Sequence, residues 1–198
     1  MAVTSSALVL QDWTAVAQNT VGESATLDIS TFYHTSLLIQ AFLDTTTAHT
    51  GTRFIIQLSH NAAGDENWGD FTQFNELVGT AVTDLIEDNP LIATSTVITL
   101  TGHAYTALAK WMAIEDGTLV DSELVFEVAQ AVNTITILDG TANAHAVNTP
   151  MFNIAFSNSS IAVMIGSGLR MRVLVDNTYD ADGSTLNYRV VYTRTTGV

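Results

Sequence analysis

Leu169-Arg170-Met171-Arg172-Val173 is the stretch on which the fold class turns, because apolar and charged side chains alternate along it residue by residue. A period of two puts one set on a buried face and the other in water, which is the mark of a half-buried β-strand. The same rhythm recurs on both sides of it. Phe54, Ile56 and Leu58 share one face of Arg53–Leu58, Thr134 and Thr136 alternate with Ile135 and Ile137, and Tyr188, Val190 and Tyr192 share a face near the C-terminus. Further strands are predicted at Thr26–Ser30, Ser36–Leu43, Thr96–Thr101, Ser122–Gln130 and Met151–Phe156. Thr, Val and Ile dominate these runs, and their branched side chains pack well on a pleated surface.

Turn signals separate the runs: Glu115-Asp116-Gly117, Asp139-Gly140, Gly166-Ser167-Gly168 and Asp182-Gly183. Asp-Gly pairs supply the positive φ angles of tight hairpins. Many short strands at this spacing predict an all-β, antiparallel sandwich or barrel with little helix, not alternating strand–helix units. Phe71–Val78 and Ala104–Met112 are the only segments that read as helical turns, with ordered loops as the alternative for both, and Asn61–Trp68 reads as a polar loop ending in an aromatic.

The 198 residues suit one large β domain or two small modules sharing a core. The division expected is an N-terminal module, residues 1–90, with a docking arm over 1–11, followed by a β-barrel or sandwich module over 91–198. An internal echo points the same way: Leu43-Asp44 leads through threonines to Ala48-His49, and Leu138-Asp139 leads through Thr141 to Ala144-His145, each followed by an apolar strand.

Composition narrows the function. Apolar residues make up 47% and charged residues 13%, ample material for a core. Six Lys+Arg stand against twenty Asp+Glu, a net charge of −14, and Lys110 is the sole lysine. Binding to phosphates needs clustered cations. The arginines at 53, 170, 172, 189 and 194 form no run, so neither nucleic acid nor an anionic membrane is an expected partner. Without cysteine there is neither a disulfide nor a thiolate metal site. Met1–Leu10 lacks the basic start and apolar centre of a signal peptide, so synthesis in a host cytoplasm is expected.

A family resemblance enters at Met112-Ala113-Ile114-Glu115-Asp116-Gly117-Thr118 and Ser122-Glu123-Leu124-Val125-Phe126-Glu127-Val128. It continues through Thr134–Thr141 and Ala144-His145 to the turn Val175–Gly183. This succession of an acidic-Gly turn, a Ser-Glu strand and a hairpin ending in Leu-Asp-Gly resembles the small β-barrel and sandwich segments of head and tail proteins of tailed phages. The resemblance covers roughly Met112 to Arg194. It implies a virion location, a structural role in many copies, self-association, and the major capsid protein or other virion proteins as partners. The acidic balance favours an exterior head-decorating or cement role over a place on packaged DNA. A tail or neck component (tube, terminator or adaptor) is the alternative, and a carbohydrate- or receptor-binding module is a third reading.

Catalytic signatures are sparse, and a non-enzymatic protein without a cofactor is expected. There is no Gly-x-Ser-x-Gly elbow and no Gly-rich loop ending in Gly-Lys-Ser/Thr. The histidines at 34, 49, 60, 103 and 145 show no metal-binding spacing. The acidic pairs Asp65-Glu66, Glu87-Asp88 and Glu115-Asp116 read as solvated surface. Asp176, Asp180 and Asp182 with Gly183 are the candidate calcium ligands, but an EF-hand register here lacks its first acid and has Arg189 at its twelfth position. The expected reading of that segment is a hairpin turn. Candidate interface residues are Trp68 and Phe71 in the polar loop, and Leu8 and Leu10 in the uncharged arm. Trp13 and Trp111 are core or interface anchors in this reading.

Overall fold

Each run of alternating side chains pairs with another, so the sequence period becomes a set of antiparallel ladders. The computed structural model describes residues 4–31, 34–43, 48–49, 51–61, 63–64, 67–76, 79–80, 82–102, 110–116, 121–153, 155–162, 170–178 and 185–196. Among them the strands are β1 (Thr4–Val16), β2 (Val21–Glu23), β3 (Leu27–Asp28), β4 (His34–Leu43), β5 (Ala48–His49) and β6 (Thr52–Ser59). Next come β7 (Gly69–Glu76), β8 (Gly79–Thr80), β9 (Thr83–Leu85), β10 (Val97–Thr99), β11 (Trp111–Ile114) and β12 (Glu123–Ala131). The last are β13 (Thr134–Ile137), β14 (Pro150–Phe152), β15 (Ala155–Ala162), β16 (Arg170–Asp176) and β17 (Leu186–Thr196). The protein is all-β, and no helix occurs among the described residues.

Three sheets carry the architecture. Sheet I runs β1-β17-β4-β15, and sheet II runs β2-β16-β6-β7 with β3 also on β16. Sheet III runs β10-β13-β12-β11-β14-β9. Sheets I and II face each other across the first core. β4 supplies Leu37, Ile39, Ala41 and Leu43, β17 supplies Tyr188 and Val190, β6 supplies Phe54 and Ile56, and β16 supplies Met171, Val173 and Val175. The strict buried–half-buried alternation of β16 realises the period read from its sequence.

Sheet III encloses a second core of Ile86, Ile98, Leu100, Met112, Ile114, Ile135, Ile137 and Met151. It curls until its outer strands meet: Ile86 bridges Leu100, Thr101 N–H donates to Leu85 C=O at 3.0 Å and Glu87 N–H donates to Thr99 C=O at 2.8 Å. All of its strands lie between Thr83 and Phe152, whereas sheets I and II draw strands from both sides of that span. Asp139-Gly140 does not make a two-residue hairpin. A Cβ on Gly140 would come within 2.5 Å of the Thr94 carbonyl oxygen, so glycine is required there by close approach to a neighbouring turn. The tight hairpin of this sheet lies instead at Val132-Asn133, between β12 and β13.

The two cores meet at aromatic rings. Phe42 has the opposite parity to the inward stripe of β4, yet it is fully buried. Its ring sits edge-on to Trp13 at 5.1 Å and stacks on Phe152 at 6.4 Å. Trp13 Nε1 in turn donates to Ser122 C=O at 2.9 Å, tying β1 to the segment entering β12.

The helical turn expected over Phe71–Val78 is corrected by the structure, since Phe71–Glu76 belongs to β7 and pairs with β6. The strongly apolar β6 offers a ladder partner, and that tertiary pairing overrides local preference. Of Ala104–Met112, the residues 104–109 lie outside the described residues, and Trp111 and Met112 are in β11. Of the segment 1–11, Thr4 to Gln11 belong to β1 and pair with β17.

Phe42→Ala is expected to cost about 3–5 kcal/mol, the usual loss for emptying a packed aromatic site. Phe42→Leu is expected to cost clearly less. Urea unfolding of the two variants checks this ordering.

Candidate functional site

Three places hold the side chains able to do more than fill a core. The first is a buried histidine bracketed by two carboxylates. His145 lies on the loop between β13 and β14, exchanges backbone hydrogen bonds with Leu91 and is 1% exposed. Its Nδ1 is 2.9 Å from Asp116 Oδ2, and its Nε2 is 2.6 Å from Glu123 Oε1. Only the imidazolium donates from both nitrogens. Burial alone would push the histidine pKa down, but the hydrogen bonds and charges of Glu123 and Asp116 outweigh it and hold the pKa above its ordinary value. Glu123 also accepts the N–H groups of Ala142 at 2.7 Å and Asn143 at 3.2 Å. The cluster therefore joins the end of β11, the start of β12 and the 139–146 loop.

This bracket was not legible in the sequence, where Asp116 reads as solvated and His145 as an isolated hydrogen-bonding group. The echo with His49 does not carry over to the side chains. His49 is also buried, but its Nε2 meets the Thr52 hydroxyl at 2.7 Å, and that hydroxyl donates to Asn177 Oδ1 at 2.8 Å. Lys110 lies beside another buried carboxylate, with Nζ 3.9 Å from Glu127 Oε2. Burial lowers its pKa against the opposing charge of Glu127.

The second place is the outer face of sheet II. Arg172 on β16 donates from Nη1 to Glu23 Oε2 at 2.6 Å and from Nε to Gln57 Oε1 at 2.9 Å. Gln57 Nε2 then donates to Asp70 Oδ1 at 2.8 Å, so one polar ladder crosses β2, β16, β6 and β7. Trp68 lies beneath the Arg172 guanidinium, 4.4 Å from its ring centroid. The register between β6 and β7 shifts between Ile56 and Gln57, whose partners are Thr72 and Asp70. Phe71 is thus the extra residue of a β-bulge on an edge strand, and it is 53% exposed. Beside it Leu58, His60, Asn67 and Gly69 help line a cleft of about 270 Å³.

The third place is the β1 end of sheet I. Leu8 and Val9 are exposed and Leu10 packs partly against the first core. The candidate interface residues therefore lie on two different sheets: Trp68 and Phe71 together on sheet II, Leu8 and Leu10 together on sheet I. The tryptophans do not share a surface. Trp13 is core, Trp68 is under Arg172, and Trp111 sits edge-on to Phe126 at 5.2 Å. Of the calcium candidates, Asp180 and Asp182 lie outside the described residues, and Asp176 Oδ1 accepts from the Thr178 N–H and hydroxyl. Among the described residues, no group of three or more His, Asp or Glu side chains is arranged to hold a metal ion.

No protein-family model and no curated protein matches the chain. Among solved structures, it is similar to VP17, a capsid protein of bacteriophage P23-77, at 8% identity and a TM-score of 0.22, over 98% of this chain and 97% of that one. It is also similar to a chain of the VP16–VP17 complex of the two major capsid proteins of that phage, at 7% identity and a TM-score of 0.23, over 98% and 100% of the chains. A third similarity is to infectious bursal disease virus, Gx strain, at 9% identity and a TM-score of 0.24, over 99% of this chain and 42% of that one. Scores of this size do not establish a common fold.

His145→Gln is expected to destabilise the protein by about 2–3 kcal/mol through loss of charge-assisted hydrogen bonds. Because the folded-state pKa is raised, this contribution is fully present below the unfolded value of about 6.5 and is lost as pH rises through the folded value. Thermal melts of both proteins across pH are expected to converge on the alkaline side. A constant gap would show that the charge of the ring is immaterial.

Proposed function

We propose that this chain is a non-enzymatic structural component of a virion, and specifically a decoration or cement protein that reinforces a phage head through subunit contacts. The observation carrying this reading is the contrast between a strongly acidic chain and the apolar groups it presents at sheet margins: Phe71 on the bulge of β7, and Leu8 and Val9 on β1. Apolar side chains held out by a bulge, or along an edge strand, are available for subunit contact. A net charge of −14 keeps free copies apart and directs the chain away from packaged DNA, so it suits an outer surface.

The polar ladder under Trp68 supports the same role. It ties the strands beside Phe71 to one another, and a pre-set surface loses little entropy on docking. The partners in this reading are the major capsid protein or other virion proteins and further copies of the chain, with no direct contact to nucleic acid or membrane. A neck or tail component would use the same margins under a different symmetry. No shared tryptophan surface among the described residues favours a sugar-binding module.

Quantitative mass spectrometry of purified heads and tails, separated before digestion, tests the proposal. A copy number matching the major capsid protein, confined to heads, is expected. A small number confined to necks or tails would replace decoration with a tail role, and absence from both would overturn the virion reading. Within it, Phe71→Ala is expected to leave the unfolding free energy within about 0.5 kcal/mol of wild type, as for an exposed site, while lowering incorporation into particles.

A further inference from the structure

A sheet ends in two rows of unpaired backbone groups, and natural proteins blunt them with charge, proline, bulges or cover. Most ends in this molecule are treated that way. The outer strands of sheet III meet each other, with Thr99 N–H held by Asp88 Oδ2 at 2.7 Å and Gly102 N–H held by Asp84 Oδ1 at 3.0 Å. In sheet II, β7 carries Asp70, Glu76 and the bulge, and β2 has three residues, including Glu23. In sheet I, β15 lies against β11 and β12.

β1 is treated differently. From Thr4 to Val9 it pairs residue for residue with β17, and among the described residues no strand pairs with its other side. This stretch, Thr-Ser-Ser-Ala-Leu-Val, contains no charge and no proline. The register shifts that blunt an edge come only after Val9. Ala7, Leu8 and Val9 are exposed.

We propose that this edge, Thr4–Val9, pairs antiparallel with the same edge of a second copy about a two-fold axis. Charge decides which edge two copies can share. Two copies at −14 repel, and pairing through β7 or β2 would set carboxylates near carboxylates. A β1–β1 ladder brings only Thr, Ser, Ala, Leu and Val opposite one another, and hydroxyl and branched pairs of this kind stabilise cross-strand contacts. Two-fold pairing uses the edge on both copies, so association closes at a dimer and does not propagate into a fibre. The choice of a second copy rests on the reading of this chain as an assembling subunit; the edge left unpaired among the described residues does not.

Sedimentation of the full chain from low to high micromolar concentration, with hydrogen exchange on the same samples, tests this. A monomer–dimer equilibrium that tightens with added salt is expected, because salt screens the repulsion between acidic copies. Amides within Thr4–Val9 should gain protection as the dimer forms. Val9→Glu and, separately, Leu8→Glu should each weaken dimerisation about tenfold or more by bringing an unpaired carboxylate into an otherwise uncharged ladder, while Val9→Thr should retain it. Circular dichroism identifies any variant that has lost the fold, and protection in the wild-type chain decides the matter without variants. A wild-type chain that stays monomeric throughout overturns the proposal. A dimer forming without protection of Thr4–Val9, or unaffected in folded Glu variants, also overturns it but leaves virion incorporation standing as a separate result.

Discussion

The burial of Phe42 is the contact on which the rest of the molecule depends. Strand β4 already spends one face, through Leu37, Ile39, Ala41 and Leu43, on the core between sheets I and II. A strand in a two-layer sandwich normally gives its other face to water. Here the second face ends in an aromatic ring held between Trp13 and Phe152, so sheet III must sit against sheet I at that point. The hydrogen bond from Trp13 to Ser122 fixes the approach, and Ser122 Oγ in turn accepts from Asp116 N–H at 3.2 Å. The carboxylate that brackets His145 is thus positioned through the same junction that joins the two cores.

A second theme is how an acidic chain uses its few cations. Arg172 ties β16 to β2 and β6, Lys110 approaches a fully buried Glu127, and Arg189 lies 3.4 Å from Asp12, across from β17 to β1. His145, when protonated, adds a positive charge between two carboxylates. Each of these groups joins separate strands or loops. Exposed pairs of this kind add little to stability, but the buried ones are sensitive to loss of either partner, which would leave a charge without compensation. In this protein the scarce positive charge works as internal bracing.

Much of the fold was legible because its signals are local. The alternation in Leu169–Val173, Arg53–Leu58 and Asn133–Ile137 reports a strand from a handful of neighbouring residues, and β16, β6 and β13 follow it. β7 was misread because Phe71–Val78 has no such alternation, and its strand character comes from pairing with β6. β1 begins within the segment expected as a docking arm, and an uncharged Thr/Ser/Ala/Val segment does not by itself reveal that β17, nearly the whole chain away, is its partner. Trp68 and Phe71 stand out in the sequence only as aromatics at the end of a polar loop. The bulge that exposes Phe71 and the guanidinium that covers Trp68 both depend on strand register, which no single segment encodes. The His145 bracket unites positions 116, 123 and 145 across a turn and a loop, so adjacency in sequence could not show it.

The ladder joining Thr4 to Thr196 has a consequence for how the molecule is made. Sheet III is contiguous in sequence, from Thr83 to Phe152, so none of its pairings waits for a strand outside that span. Sheet I cannot form until β17 has left the ribosome, because β17 lies between β1 and β4. Contacts of such high sequence separation are slow to form. The nascent chain therefore carries β1 with both sides open while sheet III is already able to fold. Production of the native chain is in this respect a race between completing the polypeptide and off-pathway strand pairing, and slower elongation before β17 would lengthen the exposed interval.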